Sequence, residues 1–507
     1  MTEKSMQEKI VVLDFGGQYN QLIARRVRDG GVYAEIYPYA KPRETWLDES
    51  VKGVILTGGP SSVYLPGAPG ADVDLFSLGV PVLGICYGMQ LLAHKAGGTV
   101  EHADVSEYGH TVLHARGGAL FAGVSPQTVV FMNHTDRVTA LPEGFSIDAS
   151  TDNCPIAAYS CPSRGLYGVQ FHPEVRHSVE GDRVLNNFVY GVCGCQGGYR
   201  ADDLIDRMIE RVRAQVGEGT VVAGLSGGVD SAVAAALLEG AMGGRLTCVF
   251  VDHGLLREGE AELVEASFGQ SGGLSFVRVD AKERFLNRLR GVTDPEAKRR
   301  AIGEEFVRVF EAEARKLGGP EYLVQGTIYP DVVESGSGEA ATIKSHHNVG
   351  GLPADMEFKG VVEPLRELFK DEVRALGREL GLPEALVDRQ PFPGPGLAVR
   401  VVGEVTEERL RTLRRADAIF REEISQLGER PDQYFAVLTG ARSVGVRGDA
   451  RSFGEVLALR AVTTDDFMTA DWSRLPLDAL ARASERITGE LPEISRVVYD
   501  ITSKPPA

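Results

Sequence analysis

Three residues of this sequence, a cysteine, a histidine and a glutamate, are suited to nucleophilic catalysis. Cys86 lies in the segment VLGICYGMQ at residues 82–90, after an apolar run and before a helix-like run. The neighbouring glycines allow the sharp turn of a nucleophile elbow, and the N-terminus of the following helix favours the thiolate. Because a lone cysteine after a strand is more often buried and structural, the catalytic interpretation depends on partners.

Partners for Cys86 are present in the segment GVQFHPE at residues 168–174. A strand-like run ends at His172, and Glu174 follows two residues later. Alternation along an extended chain places both side chains on the same side, so the carboxylate can hold one imidazole nitrogen while the other nitrogen faces the thiol. The three residues therefore predict a Cys-His-Glu triad.

A second motif, GLSGGVDS at residues 224–231, has the composition of an anion-binding loop. It follows a strand-like run and precedes a helix-like run, so its backbone N–H groups, two hydroxyls and the helix dipole converge on one point. It is neither a Walker A loop nor a dinucleotide-binding G-x-G-x-x-G. The alternative to a phosphate site is a glycine turn capped by Asp230 or Ser231. Asp230 is the carboxylate of the loop that could bind a hard cation.

The strand and helix pattern around these motifs is that of parallel sheets. Apolar runs at residues 10–13, 51–56 and 80–85 each stop at a glycine-rich turn, with helix-length segments between them, which is typical of βαβ units. The pattern begins again with an amphipathic helix at 201–215 and a strand at 220–225. The sequence therefore predicts an α/β fold of two successive doubly wound, mostly parallel sheet domains followed by a small α+β domain.

Two breaks in this pattern set the predicted domain boundaries. A polar stretch at residues 194–199 separates the two α/β patterns. Further on, the segment QPFPGPG at residues 390–396 carries three prolines and two glycines, which exclude regular structure. We therefore expect three domains, at residues 1–194, 195–389 and 390–507.

Composition and charge exclude several classes of protein. The 507-residue chain is 43% hydrophobic with a formal net charge of −17, which opposes nucleic-acid binding. It has no apolar run near the ~18 residues of a membrane span. Its six cysteines are scattered, and its N-terminus lacks the pattern of a signal peptide. We expect a cytoplasmic enzyme that binds small molecules and neither nucleic acid nor membrane.

Residues 9–192 resemble the class I glutamine amidotransferases through the elbow, the HPE segment and the LTGGP turn at 56–60. The resemblance implies hydrolysis of the glutamine amide through a thioester on Cys86, with His172 as acid and base and Glu174 as its orienter. The ammonia is passed on to a second reaction. For the oxyanion hole and the glutamine pocket the resemblance implies Gly59, Tyr87, Gln90 and Asn133.

The SGGVDS motif, with a second strand at 247–252, resembles the PP-loop of N-type ATP pyrophosphatases. These enzymes cleave ATP between the α and β phosphates, so the resemblance implies ATP as a co-substrate and magnesium bound at Asp230. It assigns ATP contacts to Ser226, Gly227, Gly228, Val229, Asp230 and Ser231, and adenine contacts to Val251 and Phe306.

The whole chain resembles the GMP synthetases, through IKSHHNVGGLP at 343–353 and C-terminal segments such as PFPGPGLAVRV and ISRVVYDITSKPP. The resemblance implies a homodimer formed by the C-terminal domain, with Lys344 closing over the phosphates and XMP contacts from Arg299, Arg400 and Lys504. The implied reaction is adenylylation of the C2 oxygen of XMP by ATP, followed by displacement of AMP by ammonia to give GMP. Relatives continue past the final KPPA with a short TIEWE tail, so we expect part of the XMP pocket to be missing here.

Three other functions fit part of the pattern. Another PP-loop amidotransferase is disfavoured because asparagine synthetases need an N-terminal catalytic cysteine, whereas this chain begins with Met1, and glutamine-dependent NAD synthetases use a nitrilase-like glutaminase. The acidic charge balance disfavours a tRNA-modifying PP-loop protein. The intact triad of Cys86, His172 and Glu174 disfavours a non-catalytic glutamine sensor.

Overall fold

The computed structural model describes residues 7–70, 74–200, 203–269, 272–336, 358–447, 450–464 and 470–503. The chain divides into two units, of which the first comprises Met1–Asp203 with Val332–Glu339 and the second comprises Leu204–Asp331 with Ala340–Ala507. The finer division into three domains stays a prediction.

A sheet of nine strands forms the centre of the first unit, in the order β2-β1-β3-β4-β9-β8-β7-β5-β6. The strands are β1 (Lys9–Asp14), β2 (Tyr33–Pro38), β3 (Val51–Leu56), β4 (Val82–Ile85), β5 (Thr99–Ala115), β6 (Gln127–Ala140), β7 (Ser146–Ser150), β8 (Ala158–Cys161) and β9 (Leu166–Val169). The helices are α1 (Asn20–Asp29), α2 (Tyr87–Lys95) and α3 (Gly181–Asn186), which continues as a π-helical turn over Asn187–Val192.

The parallel half of this sheet holds the predicted triad. Strands β1 to β4 pair in parallel and β9 joins β4 in parallel, whereas β5 to β8 are antiparallel. Ile10 to Leu13 of β1 are fully buried, as a central parallel strand requires. The order 2-1-3-4 is that of a flavodoxin-like, doubly wound sheet, in which ligands bind at the carboxyl ends of the strands. Cys86 follows β4 at that edge.

Five parallel strands form the first sheet of the second unit, in the order β12-β11-β10-β13-β14. The strands are β10 (Val221–Leu225), β11 (Leu246–Asp252), β12 (Ser275–Asp280), β13 (Tyr322–Val324) and β14 (Gly360–Val362). The helices along this part of the chain are α4 (Asp203–Val216), α5 (Val229–Met242), α6 (Glu260–Phe268), α7 (Lys282–Leu289), α8 (Pro295–Lys316), α9 (Tyr329–Gly336), α10 (Lys370–Glu379) and α11 (Glu384–Val387). The strand order reverses between β10 and β13, and the SGGVDS loop follows β10 at this switch point, where ligands bind in such sheets.

A smaller α+β region completes the second unit. Its elements are α12 (Glu407–Ser425), β15 (Gln433–Arg447), β16 (Ala450–Thr463), β17 (Asp471–Trp472), α13 (Leu477–Glu490) and β18 (Ile494–Asp500). Strand β16 pairs with β15, β17 and β18. As the prolines predict, residues 391–395 form neither helix nor strand, and a short 3-10 turn follows at Gly396–Arg400. The predicted fold class is confirmed.

One apolar core joins the parallel sheet of the second unit to its C-terminal region. The same cluster contains Val222 of β10, Val249 of β11, Leu413 of α12 and Leu457 of β16. Because this core is continuous, the two regions form one unit even though their secondary structure differs. Among the described helices, none is both long enough and apolar enough to cross a membrane.

Candidate active site

Cys86 lies in a strained turn between β4 and α2. Its φ of 51° and ψ of −107° are rare for a residue with a side chain, and it is the one non-glycine residue of the described chain with a positive φ. Gly88 permits the turn, because a Cβ there would stand 2.4 Å from the carbonyl oxygen of Leu56. A Cβ on Gly84 would stand 2.4 Å from the carbonyl carbon of Gly88. The glycines thus let α2 begin directly against β3 and β4, as a nucleophile elbow requires.

His172 and Glu174 form a buried pair beside the thiol. Nδ1 of His172 lies 2.7 Å from Oε1 of Glu174, and both side chains are buried. Burial by itself lowers the pKa of His172, but the charge of Glu174 and hydrogen bonds to Cys86 and Glu174 outweigh it and raise that pKa to about 10. The carboxylate of Glu174 therefore favours the charged form of His172, whose ring lies between Sγ of Cys86 and that carboxylate.

Strand β6 brings main-chain carbonyls to the predicted pocket residues. The carbonyl of Asn133 accepts a long hydrogen bond from the Cys86 thiol, at 3.7 Å, and the Asn133 side chain is exposed. The carbonyl of Asp136 accepts a hydrogen bond of 2.7 Å from the buried side chain of Gln90. The fold therefore places Asn133 at the thiol and ties Gln90 to the same strand.

The loop after β3 brings further backbone groups to the thiol. A Cβ on Gly58 would lie 3.4 Å from Cε1 of His172 and 3.8 Å from Cβ of Cys86, so the loop passes directly against the pair. Gly59 is the next residue of this loop, and Tyr87 follows Cys86 in the chain. Within the described residues, the backbone N–H groups of Gly59 and Tyr87 donate to no backbone carbonyl. Neither N–H group is therefore used by a backbone carbonyl, and their role in an oxyanion hole stays a prediction.

Gln170 is a residue of this site that was not predicted. Its Nε2 lies 3.7 Å from Sγ of Cys86, and its Oε1 accepts a hydrogen bond of 3.1 Å from Gln90. The sequence carried a signal for it, because Gln170, His172 and Glu174 recur at every second residue. The strand predicted to end at His172 ends at Val169, and the chain bends and turns from Gln170 to Glu174. Gln170 links the nucleophile to Gln90 through its side-chain amide.

The SGGVDS loop is ordered by hydrogen bonds among its own residues. The N–H of Gly228 donates to Oγ of Ser226 at 3.3 Å, and Oγ of Ser231 donates to the Gly228 carbonyl at 3.0 Å. Gly227 has a φ of 77°, a conformation that favours glycine. Helix α5 begins at Val229, so the loop turns across the N-terminus of a long helix. This is the arrangement that binds phosphate in other proteins.

Two cations reach this loop from distant parts of the chain. Nζ of Lys370 lies 2.6 Å from both carboxylate oxygens of Asp230, and Arg389 donates to the carbonyl of Gly227 and pairs with Glu260 at 2.8 Å. Neither cation was predicted, because they stand 140 and 162 residues from their partners in the loop. Asp230 has the carboxylate chemistry of a magnesium ligand, and in this structure its charge is matched by Lys370.

The remaining predicted ATP residues lie further from the loop or outside the described residues. Val251 is buried at the carboxyl end of β11, and Phe306 of α8 packs half-buried against the same apolar cluster. Their contacts with adenine stay a prediction. Lys344 and Lys504 lie outside the described residues.

The two other predicted XMP contacts lie in different surroundings. Arg299 of α8 is partly exposed and forms a salt bridge with Glu296, three residues earlier. Arg400 is only 5% exposed, with its guanidinium over the ring of Phe435 at 4.1 Å and 3.6 Å from Asp417. Burial, reinforced by a neighbouring arginine, lowers the pKa of Arg400 to about 9. Its guanidinium faces the interior of the unit, and contact with XMP stays a prediction for both arginines.

The fold and the first site define a class of protein, the triad-type glutamine amidotransferases, here joined to a PP-loop sheet. Comparison with known families agrees with this class. Residues 11–192 match the family described as Glutamine amidotransferase class-I, and residues 422–507 match the GMP synthase C terminal domain.

Curated relatives extend this likeness over the full chain. It is 57% identical over 503 residues to the glutamine-hydrolysing GMP synthase of Acetivibrio thermocellus, and 58% identical over 503 residues to that of Caldicellulosiruptor saccharolyticus. Each alignment covers 99% of this chain and 98% of the relative. A solved glutamine amidotransferase from Thermotoga maritima is 16% identical with a TM-score of 0.32, covering 37% of this chain and 99% of that one. The chain belongs to the glutamine-hydrolysing GMP synthase family.

Proposed function

We propose that the chain converts XMP to GMP with ammonia from glutamine, through two half-reactions on its two units. In the first, Sγ of Cys86 attacks the amide carbon of glutamine as the thiolate, its proton having passed to His172, while the N–H groups of Gly59 and Tyr87 bind the oxyanion. His172 then gives its proton to the leaving ammonia and afterwards takes one from the water that hydrolyses the thioester. Its raised pKa supports this role, because the imidazolium is present before the amine departs.

The second half-reaction uses the SGGVDS loop at the switch point of the parallel sheet. The loop binds the pyrophosphate end of ATP at the N-terminus of α5, so the C2 oxygen of XMP can attack the α phosphate and release pyrophosphate. Ammonia then displaces AMP from C2 to give GMP. Asp230 would hold magnesium, which offsets the phosphate charge when bound, and Lys344 would close over the same phosphates.

The organisation of the second unit completes this proposal. Its final part, residues 390–507, would form a homodimer, and Arg299, Arg400 and Lys504 would contact XMP. Val251 and Phe306 would hold the adenine. The six cysteines are free, which supports a reducing compartment and hence a cytoplasmic location.

One observation carries the proposal. A chain of this family has Cys86, His172 and Glu174 together at the edge of one sheet, and it has a loop suited to phosphate on a separate sheet. Formation of AMP and pyrophosphate from ATP should be measured with XMP and with IMP, UTP, aspartate and deamido-NAD as rival acceptors. We expect turnover with XMP alone. AMP formation with another acceptor, and none with XMP, would contradict the proposal.

A single variant separates the two half-reactions. Cys86→Ala should abolish GMP formation from glutamine but leave formation from added ammonium salts, because the thiol acts only on glutamine. Cys161→Ala removes another buried thiol of the same unit and should preserve both activities. Loss of both activities in a folded Cys86→Ala protein would show that the two sites do not act independently.

A further inference from the structure

A buried polar cluster lies beside the strand that contacts the nucleophile. Nε2 of His134 lies 3.1 Å from Oε2 of Glu107, and Oγ1 of Thr151 donates to the other oxygen of this carboxylate at 2.7 Å. The side chains of His134 and Glu107 are 2% and 4% exposed. Burying such a pair is costly, and no step of the proposed reaction uses it.

The cluster lies where the pairing of β5 and β6 is interrupted. His102 is opposite Asp136 and Glu107 is opposite His134, so β5 advances five residues while β6 advances two. A bulge of this kind leaves backbone groups without partners in the ladder. Side chains replace those partners, since Nδ1 of His134 lies 2.9 Å from the carbonyl of Asp136 and Nδ1 of His102 lies 3.0 Å from the carbonyl of Thr135.

The segment that His134 holds in this way is the one that meets the nucleophile elbow. The carbonyl of Asn133 contacts the Cys86 thiol, and the carbonyl of Asp136 also accepts the amide of Gln90. We propose that His134, held by Glu107, is a positioning residue for glutamine hydrolysis that fixes β6 against the elbow. The inference rests on the proposed glutaminase reaction, and it adds that this reaction requires His134 to hold β6 in place.

The hydrogen-bond roles in the cluster follow from its acceptors. The carbonyl of Asp136 and the carboxylate of Glu107 can only accept, so each ring nitrogen of His134 faces an acceptor. Burial raises the pKa of Glu107, but hydrogen bonds from His134 and Thr151 outweigh it and hold that pKa below its usual value. The pair is therefore a link between β5 and β6 that is held by hydrogen bonds at both residues.

A metal site is the other use that this cluster suggests. Ligand atoms of Glu107, His134 and Cys154 lie within 4.8 Å of one another. Burial, together with the charge of Glu107, raises the pKa of Cys154 to about 12, which keeps this thiol protonated and a poor ligand. Both oxygens of Glu107 and both nitrogens of His134 already have hydrogen-bond partners. These contacts favour a hydrogen-bonded link between Glu107 and His134 over a metal site.

Two amide variants, which differ in length by one methylene group, separate the two hydrogen bonds of His134. Asparagine places its amide nitrogen near the position of Nδ1 and can keep the bond to Asp136, whereas glutamine reaches the position of Nε2 and can keep the bond to Glu107. In the full chain, we expect His134→Gln to lower kcat for glutamine hydrolysis at least about tenfold. His134→Asn should stay well above His134→Gln. The matched control Cys154→Ala should keep the wild-type kcat.

Ammonia-driven GMP synthesis checks that each variant is folded, and it should be unchanged throughout. A wild-type protein that does not hydrolyse glutamine would refute the proposed function rather than the role of His134. In a protein that does, equal kcat values for the two His134 variants would overturn the positioning role. Stoichiometric Co²⁺ binding by the wild type that is lost in Cys154→Ala would also overturn it. If a His134 variant fails to fold, Glu107→Gln tests the same link, and an unchanged kcat there would refute it.

Discussion

Replacing Glu174 by glutamine should weaken catalysis and stability in a way that depends on pH. The change keeps the shape of the side chain but removes the negative charge 2.7 Å from Nδ1 of His172. Without that charge, the effect of burial, which lowers the pKa of His172, is no longer offset by Glu174. The charged form of His172 is then less stable. We expect kcat for glutamine hydrolysis to fall about 10³-fold to 10⁴-fold, as when the acid of a triad becomes its amide, while ammonia-driven synthesis is unchanged.

The pKa of His172 sets the size of the accompanying loss of stability. Its rise from 6.5 to about 10 corresponds to on the order of 5 kcal/mol at ~1.4 kcal/mol per pH unit. Because Cys86 supplies part of this rise and glutamine keeps a hydrogen-bonding group, we expect a loss of about 3 kcal/mol. A histidine whose pKa is higher in the folded protein than in the unfolded chain stabilises the fold. This stabilisation is complete at a pH below the unfolded pKa, and it is lost as the pH rises through the folded pKa. The loss should therefore be greatest below pH 6.5 and shrink toward pH 10.

The assay can be confined to the first unit. Trp46 is buried there, and the chain has one other tryptophan, Trp472 of the second unit. In a Trp472→Phe background, urea unfolding followed by tryptophan fluorescence gives the free energy of unfolding around Trp46 at each pH. Glu143→Gln, an exposed residue of the same unit, is the control and should match the background at every pH.

Two results would refute this reasoning about Glu174. One is a glutaminase kcat within about tenfold of the wild type, because the carboxylate would then contribute little to the orientation of His172. The other is a stability difference between variant and background that is constant across the pH range, since His172 would then have no raised pKa to lose.

Two further predictions concern the loop and the elbow. Lys370→Gln should lower pyrophosphate release from ATP and XMP at least about tenfold, because it removes the charge that faces Asp230, and it should leave glutaminase activity unchanged. The control is Lys359→Gln, which removes a lysine from an exposed ion pair with Glu321 and should keep normal pyrophosphate release. Normal pyrophosphate release by Lys370→Gln would refute a role of Lys370 in the ATP site. Gly88→Ala forces a Cβ to 2.4 Å from a backbone carbonyl of β3 and should destabilise the first unit by about 3 kcal/mol with loss of glutaminase, measured by urea unfolding. Gly191→Ala, where a Cβ meets nothing within 4 Å, is the control, and equal stability of the two variants would contradict this account of the elbow.

The sequence alone determined the features that depend on a few neighbouring residues. A strand, a glycine-flanked Cys86 and a helix predict an elbow, because that turn needs the glycines whatever surrounds it. His172 and Glu174 stand two residues apart, so their side chains can meet without a partner from elsewhere in the fold, although β9 ends at Val169 and Glu174 lies in a turn. The loop at residues 226–231 likewise follows from its own composition and from the strand and helix on either side.

The tertiary structure decided which residues from distant segments meet these motifs. Lys370 contacts Asp230 across 140 residues, and Glu107 contacts His134 across a bulge whose length no local pattern reveals. Arg400 stands in a proline-rich and glycine-rich stretch that favours an exposed loop, yet packing on Phe435 and Asp417 buries it. Pairings of this kind depend on which faces pack together and in what register, and a local pattern of residues carries no information on either.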